Sequence, residues 1–246
     1  MTPEWDTNQL ADPHAQADKR SRVQRMFSAI APSYDLNNRL HSFWRDQAWR
    51  RKTVKLAAIK GDEIVVDVAC GTGDLTLAFG RVTPNVIGID FTYAMLPIAE
   101  GKSQSANRKS KIFINGDAQQ LPLPDACCDV VSIAFGIRNV QDVPAALQEF
   151  HRILRPGGRV VILEFSEPTN PVIRACNHFY CHRVMPVTAT LVSGDKSGAY
   201  KYLPRSVETF MSRQQINDAL TSAGFSDITQ HPMTFGVCVA YRAYKK

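Results

Sequence analysis

The sequence predicts a doubly wound α/β fold: a mainly parallel sheet of seven strands that closes on an antiparallel hairpin. Three observations predict it. Between about residues 60 and 165, short β-branched runs alternate with stretches of helical period, the pattern of βαβ units. The run IVVDV at 64–68 meets a glycine turn, ACGTGD at 69–74, and the next run, VIGID at 86–90, ends in an acid. That is the opening unit of a nucleotide-binding sheet. Near the C-terminus, runs at 228–233 and 237–244 are separated only by Thr234, Phe235 and Gly236, and so short a connection forces an antiparallel pair.

The elements follow in order. Residues 64–68 form the first strand and 75–81 continue from the turn as a helix. Residues 86–90 form the second strand, followed by a helix over 94–102. Residues 112–114 form a third strand ending in Asn115-Gly116-Asp117, and 130–135 a fourth. A helix over 143–154 carries apolar residues at 143, 146, 147, 150 and 154 and stops at Arg155-Pro156-Gly157-Gly158, a proline and glycine break. The fifth strand spans 159–164, and a last helix, 213–223, precedes the hairpin. Residues 21–58 look helical and act as a lid; 166–212 form an excursion too long for a plain connection, so they contain helices and cover the site.

At 246 residues and 44% hydrophobic content, one domain over 21–246 can bury a sizeable core. The balance of 29 basic to 23 acidic residues, a net +6, suits an anionic partner such as nucleic acid or a phospholipid surface. Residues 1–20 are read as a disordered tail: the first 18 hold four acids, no Lys or Arg, and none of the regions of a signal peptide. No apolar run approaches the roughly 20 residues of a membrane span, so a cytoplasmic protein, soluble or peripheral, is expected. Six cysteines, at 70, 127, 128, 176, 181 and 238, form no CxxC pair and are read as reduced thiols. Cys176, His178, Cys181 and His182 suggest zinc, but their spacing fits no finger or ribbon, and no metal is expected.

Gly71 and Gly73 let the backbone approach a ligand closely. A dinucleotide would ask for G-x-G-x-x-G, yet counting from Gly71 the last position is Thr76, which lowers the nicotinamide reading. S-adenosylmethionine asks for different groups. Asp90, ending the second strand, can accept both ribose hydroxyls, and Asp67, beside the turn, can face the methionine ammonium directly or through water. Asp117-Ala118 can meet the adenine amino edge, and Thr72 offers an amide and a hydroxyl. Each acid also has a plainer use, Asp67 as a loop cap and Asp90 as a helix N-cap. Four matches in one order, each at a strand end, favour the methyl donor.

The segments DVACGTGD, GID, NGDAQQLPLPD, CDVVSIAFGIRNV and HRILRPGGRVVILEFSEP resemble the ubiquinone/menaquinone C-methyltransferase family (UbiE/MenG). FSAIAPSYDLNNRLHSFWRDQAWRR resembles its opening segment, and YKYLPRSVETF and AGFSDITQHPMTFGVCVAYRAYK its closing ones, so the similarity covers about 22–245. FGIRNV and LEFSEP are the specific parts; the glycine turn is shared by many methyltransferases. The resemblance implies a class I Rossmann-like fold and S-adenosylmethionine-dependent methylation of a ring carbon of a polyprenylated quinol. Demethylmenaquinol stands first as substrate, with 2-polyprenyl-6-methoxy-1,4-benzoquinol the other. It carries cofactor contacts onto Thr72, Asp90, Asp117 and Ala118. Cys70 stands where the motif often has Gly, Asp117 where some members have Asn, and Ala134 where some have a cofactor-contacting Ser.

A quinol carbon becomes nucleophilic when a neighbouring hydroxyl loses its proton, after which positioning can supply most of the catalysis. Arg138 and Asn139, following the fourth strand, are the candidates to steady the phenolate or a proton-accepting water, with Tyr34 of the lid as a third. The plain alternatives are an i,i+4 salt bridge from Arg138 to Asp142 and simple lid packing for Tyr34. Val23, Met26, Phe27 and Ile30 make one apolar helix stripe flanked by Arg20, Arg22 and Arg25. It fits a helix lying on a membrane, the wall of a tail tunnel, or an ordinary core-facing stripe. The expected partners are the quinol and the inner membrane face, with a homodimer or a quinone-synthesis complex compatible and no nucleic acid. Nucleic-acid methylation would want a Pro-Pro-aromatic loop where Ala134-Phe135-Gly136-Ile137 stands. A non-catalytic quinone-synthesis subunit is the remaining alternative, and intact Asp90, Arg138 and Asn139 argue against it.

Overall fold

The computed structural model describes residues 4–6, 8–106, 112–195 and 197–246. Strands β1 (Val65–Val68), β2 (Val86–Asp90), β3 (Ile112–Asn115), β4 (Cys128–Ala134), β5 (Leu154–Phe165), β6 (Phe225–Met233) and β7 (Cys238–Lys245) form one sheet in the order β3-β2-β1-β4-β5-β7-β6. The first five run parallel, and β7 lies antiparallel to both β5 and β6. Strand order reverses between β1 and β4, so a crevice opens beyond their carboxyl ends. Ten α-helices are described: α1 (Lys19–Ile30), α2 (Tyr34–His41), α3 (Arg45–Ala57), α4 (Asp74–Phe79), α5 (Leu96–Ser105), α6 (Val143–Ile153), α7 (Pro171–Phe179), α8 (Met185–Ser193), α9 (Ala199–Glu208) and α10 (Arg213–Ser222). A π-helical turn, Tyr180–Val184, joins α7 to α8.

Period-2 alternation divides the strands between two apolar layers. Val66, Val68, Val131, Ile133 and Ile162 meet Leu147 and Phe150 of α6 and Ile216 and Leu220 of α10. Val65, Val130, Val161 and Leu163 meet Trp49 and Leu56 of α3 and Leu75 and Phe79 of α4. Burying each such side chain contributes about 1.5–3 kcal/mol. Local signals set the helix starts: the Asp142 carboxylate accepts from the Ala145 amide, and Ser212 with Gln215 forms a capping box. Strand β5 begins five residues earlier than the sequence suggests. Leu154 already pairs with Cys128, and Pro156-Gly157-Gly158 forms a bulge within the strand, with Gly157 at φ +78°.

The N-terminal segment folds onto the body instead of trailing as a tail; its residues 1–3 and 7 lie outside the described ones. Trp5 is 3% exposed and stacks on Tyr202 of α9 at 4.6 Å. The physical reason is charge. Glu4 pairs with Arg25 and Asp18 with Arg22, so acids of this segment neutralise two of the three arginines of α1. The α1 stripe consequently faces inward: Val23, Met26 and Ile30 are buried with Trp5 and Tyr202. Residues 166–212 hold α7, α8 and α9 as an expected cover, with position 196 outside the described residues.

Trp5→Ala should therefore cost about 3 kcal/mol and lower the melting temperature by about 6–12 °C. Calorimetry checks this, and an unchanged melting temperature would mean that the Trp5–Tyr202 stack contributes nothing to the fold.

Candidate active site

Two strand ends build the floor. Ala69 follows β1 at φ +50° and Phe135 follows β4 at φ +58°, both in the left-handed region that non-glycine residues rarely adopt. They fit because Gly136 has no side chain: a Cβ there would lie 2.6 Å from the Ala69 Cβ. Gly71, at φ +55°, completes the turn.

Three chambers adjoin above this floor. The first is lined by Ala69, Gly71, Asp90, Phe91, Met95, Asp117, Ala118, Gly136 and Asn139, with Arg20 and Val23 of α1 as its roof. The second lies between Tyr34, Trp49, Arg50, Arg138, Phe165, Tyr200 and Tyr202. The third, the roomiest of these three, lies under α7, α8 and α9, lined by Pro171, Phe179, Tyr180, Met185 and Val207 among others. Phe27, Tyr34 and Phe135 border both the first and second chambers. Asn38, Ser42, Trp49, Phe165 and Leu203 border both the second and third.

In the first chamber each Asp90 oxygen accepts one amide, from Gly71 at 2.7 Å and from Thr92 at 2.7 Å. A carboxylate has about four lone-pair directions, so roughly two stay open for a ligand. Burial pushes the Asp90 carboxyl up to about 6, against the pull of those amides. Asp117 faces the same chamber and is held by Arg20 at 2.8 Å, while the Arg20 guanidinium lies 4.5 Å from the Phe91 ring centre. α1 thus closes over an apolar slot between Phe91, Met95 and Ala118.

Three residues expected at the donor face are not on the chamber wall. Asp67 points to the α3–α4 side of the sheet, the same side as Val65, where it is 1% exposed and accepts from the Thr76 hydroxyl at 2.6 Å. Burial raises its carboxyl to about 7. Thr72 is buried, donating to Asp35 at 2.6 Å and accepting from Lys102 at 3.1 Å. Gly73 begins α4 at φ +82°, where a Cβ would come within 3.0 Å of Ala99. Around them Lys102 joins Asp35 and Asp74, and Arg39 joins Asp74, so the turn is latched to the lid by charge.

Arg138, Asn139 and Tyr34 surround Phe135. Arg138 is 4% exposed and pairs with Glu164 at 2.6 Å, not with Asp142, which caps α6. It also donates to the Phe135 carbonyl at 2.8 Å. Asn139 donates to that carbonyl and accepts from the Tyr202 hydroxyl at 2.9 Å. Burial pushes the Tyr34 phenol up, so at neutral pH it is a donor. Sequence reading missed Arg20, Arg50, Phe91 and Gly136. Phe91 directly follows Asp90, a signal that could have found it; the other three become neighbours only through long-range packing. At the third chamber, His178 and His182 stack at 4.2 Å and share one Glu208 oxygen, whose other oxygen Arg205 holds. Among the described residues these three have ligating atoms within 4.8 Å of one another, and neither Cys176 nor Cys181 belongs to the group.

The model of the ubiE/COQ5 methyltransferase family matches residues 15–245. A ubiquinone/menaquinone biosynthesis C-methyltransferase UbiE of Geobacter sp. (strain M21) is 40% identical over 232 residues, 93% of this chain and 98% of the relative. A demethylmenaquinone methyltransferase of Thermus thermophilus is 44% identical over 218 residues, 88% and 98% of the two chains. Among solved structures, an S-adenosylmethionine-dependent methyltransferase of Thermotoga maritima superposes with a TM-score of 0.60 at 19% identity, over 91% of this chain and 100% of its own. A Haemonchus contortus phosphoethanolamine N-methyltransferase 2 gives 0.61 at 15% identity, over 82% and 52%. These two share the fold.

The Arg138–Glu164 pair yields a test of its own. Glu164→Gln leaves a buried guanidinium without its counter-ion and should cost about 3–5 kcal/mol in urea unfolding. The double change R138M/E164M should cost less than E164Q alone. A loss under about 1 kcal/mol for E164Q would mean that another group neutralises Arg138.

Proposed function

Because the chain belongs to the ubiE/COQ5 methyltransferase family, and is an S-adenosylmethionine-dependent C-methyltransferase of quinone biosynthesis, we propose that its three chambers take donor, acceptor ring and acceptor tail in that order, with demethylmenaquinol as acceptor. The observation that carries this reading is the sharing of walls. Tyr34 and Phe135 border the first two chambers, and Trp49 and Phe165 border the last two. One molecule can thus lay its ring beside the donor and its tail under α7–α9. Demethylmenaquinone is the substrate named for the Thermus thermophilus relative.

The first chamber suits the donor. Asp90 keeps open lone pairs for a ribose diol, Phe91, Met95 and Ala118 offer a flat apolar slot for adenine, and Asp117 stands at its amino edge. Gly71 leaves room that a side chain would fill, and Gly136 clears Ala69 and Ile133. Asp67, Thr72 and Gly73 serve in this reading by holding the turn. S-adenosylmethionine, when bound, supplies an electrophilic methyl group. The chain's part is placement: Phe135 separates the two chambers, Asn139 is locked by Tyr202, and Arg138 fixes the Phe135 carbonyl. Tyr34, as a phenol, can donate to a ring oxygen while the ring carbon takes the methyl and the displaced ring proton leaves to solvent. Holding the reactants in line accounts for most of the acceleration such a site can offer.

A polyprenyl tail has to come from a bilayer, and no described helix is long and apolar enough to cross one. The reading therefore includes a peripheral seat. The support is an exposed apolar edge beside the third chamber: Phe43 (71% exposed), Trp44, Phe179, Val187 and Leu191. Val184, Val187 and Leu191 form one stripe along α8 and its preceding turn, and Phe43 packs on Tyr180 at 5.8 Å. Phe43 and Trp44 both have positive φ, a strained turn that presents two aromatics to solvent. Arg45, Arg174 and Arg183 are exposed on the same elements and suit anionic headgroups. This replaces the α1 stripe as the membrane candidate.

Purified protein with S-adenosylmethionine and reduced demethylmenaquinone should yield menaquinol by mass spectrometry; bound donor with no transfer to any demethylated quinol would end the reading. Asp90→Asn should raise the donor dissociation constant about 10–100-fold. The free carboxyl sits near 6 and the ligand's hydroxyls favour its ionised form, so wild-type affinity should fall as pH drops below about 6, by up to about tenfold per unit. Calorimetry across pH checks both, and D90N should flatten the slope.

The membrane seat has its own readout. The double change F43S/W44S should cut sedimentation with vesicles containing anionic phospholipid by about tenfold or more. Transfer to a short-tailed, detergent-soluble quinol should stay near wild type.

A further inference from the structure

Among the described residues three arginine side chains are more than nine-tenths buried, and two of them are satisfied within the chain. Arg138 has Glu164. Arg159 has Glu63 at 2.7 Å, the Ala58 carbonyl at 3.0 Å and the Ala57 carbonyl. Arg50 differs. It is 7% exposed, and among the described residues its guanidinium makes no hydrogen bond and no ion pair; its Nε is sealed from solvent without an acceptor. It lies over the Phe135 ring, 5.4 Å from the ring centre. Asp67 on β1, Asp74 on α4, Tyr34 on α2 and Cys238 on β7 lie near enough to feel its charge. Asp67 is committed to Thr76, and Asp74 to Lys102, Arg39 and Gln47. Asp46, on its own helix, bonds Ser42 and Gln47.

A buried cation with no direct ion pair or hydrogen bond is costly, and such orphans persist where a ligand completes them. Arg50 stands on the wall of the second chamber, next to Tyr34 and Phe135, the residues that border the first. We propose that Arg50 is an oxyanion receptor at the junction of the first two chambers, completed only by a bound ligand. Its planar fork suits a carboxylate, and its single unmatched charge suits a phenolate. Two ligands of the proposed reaction carry such a group there: the donor, through its amino-acid carboxylate, and the acceptor ring, through an ionised hydroxyl. The inference rests on the donor-and-ring reading of those chambers. It also places the free positive charge on α3 of the lid, where sequence reading had placed the anion-steadying charge on Arg138.

The test uses R50Q, R50K and R50M in the full chain, with S-adenosylhomocysteine and 5′-methylthioadenosine as probes. The second probe shares the nucleoside and thioether but lacks the carboxylate. For a donor carboxylate, R50Q should bind S-adenosylhomocysteine at least about tenfold more weakly, bind methylthioadenosine as wild type does, and be partly rescued by R50K. For an acceptor phenolate, both probes should bind R50Q normally, while the acidic limb of kcat against pH moves up by about one unit or more and kcat recovers at high pH. Independently, R50M should melt about 3 °C or more above wild type without ligand, since it removes an uncompensated buried charge. The proposal is overturned if R50Q changes neither probe selectivity nor the pH profile, or if ligand-free R50M is less stable than wild type. Probe binding does not require methyl transfer. A wild-type protein that discriminates the probes through Arg50 yet methylates no quinol would therefore sink the acceptor assignment and leave the receptor standing.

Discussion

The left-handed turn at Phe135 is the constraint on which the rest of the site depends. Its backbone sits at φ +58° because Gly136, lacking a side chain, clears the equally strained Ala69 at the end of β1. From that one residue hang most of the working parts. Its amide donates to Leu163 at 2.7 Å, its carbonyl receives Arg138 and Asn139, and its ring contacts Trp49, Phe165 and the Arg50 guanidinium. Strain of order 1–3 kcal/mol survives in a fold only where surrounding contacts over-determine it. The buried Arg138–Glu164 pair, bridging the turn to β5, does much of that.

Such a turn explains why the first two chambers are separate yet adjacent. The strand order reverses between β1 and β4, which opens one crevice. Phe135 divides it, and the lid roofs the two parts with different chemistry. α1 brings Arg20 and Gln24 to the first chamber, bonding Asp117 and the Phe91 carbonyl. α2 and α3 bring Tyr34, Trp49 and Arg50 to the second. Even the N-terminal segment takes part: Trp5 backs Tyr202, Tyr202 holds Asn139, and Asn139 faces the first chamber.

What could be read from the sequence was local. β2 matches its expected residues, and the glycine turn and Asp90 stand where the βαβ pattern puts them. The hairpin, too, follows from three residues between two runs. What could not be read was long-range. Asp67 lies one residue from apolar neighbours on a strand buried on both faces, so alternation alone did not say which layer its carboxylate enters. Arg138 had Asp142 as its candidate partner in sequence, whereas its actual partner, Glu164, is 26 residues away. Arg50 stands beside Arg51 and Lys52, and only the docking of α3 on the sheet buries it. The acidic opening residues looked disordered by composition, yet their charges complement the arginines of α1, a match that appears only when the two segments meet.

The distribution of polarity also orders the routes into the site. Around the glycine turn the lid is tied down by Lys102, Asp35, Asp74 and Arg39, and over the first chamber by Arg20 on Asp117. These are charge contacts, partly exposed, each worth about 1 kcal/mol or less and weakened by water and salt. Opening there exposes polar surface at little cost, which suits entry of a charged, water-soluble donor. Around the third chamber the walls include Phe179, Tyr180, Met185 and Val207 beside the His178–His182–Glu208 cluster, next to the exposed apolar edge of Phe43, Trp44 and Leu191. Opening that side into water would expose apolar surface, at about 25 cal/mol per Å²; opening it into a bilayer would not. In the proposed reading the two substrates would therefore use opposite doors, each favoured by its own solvent, and meet across Phe135.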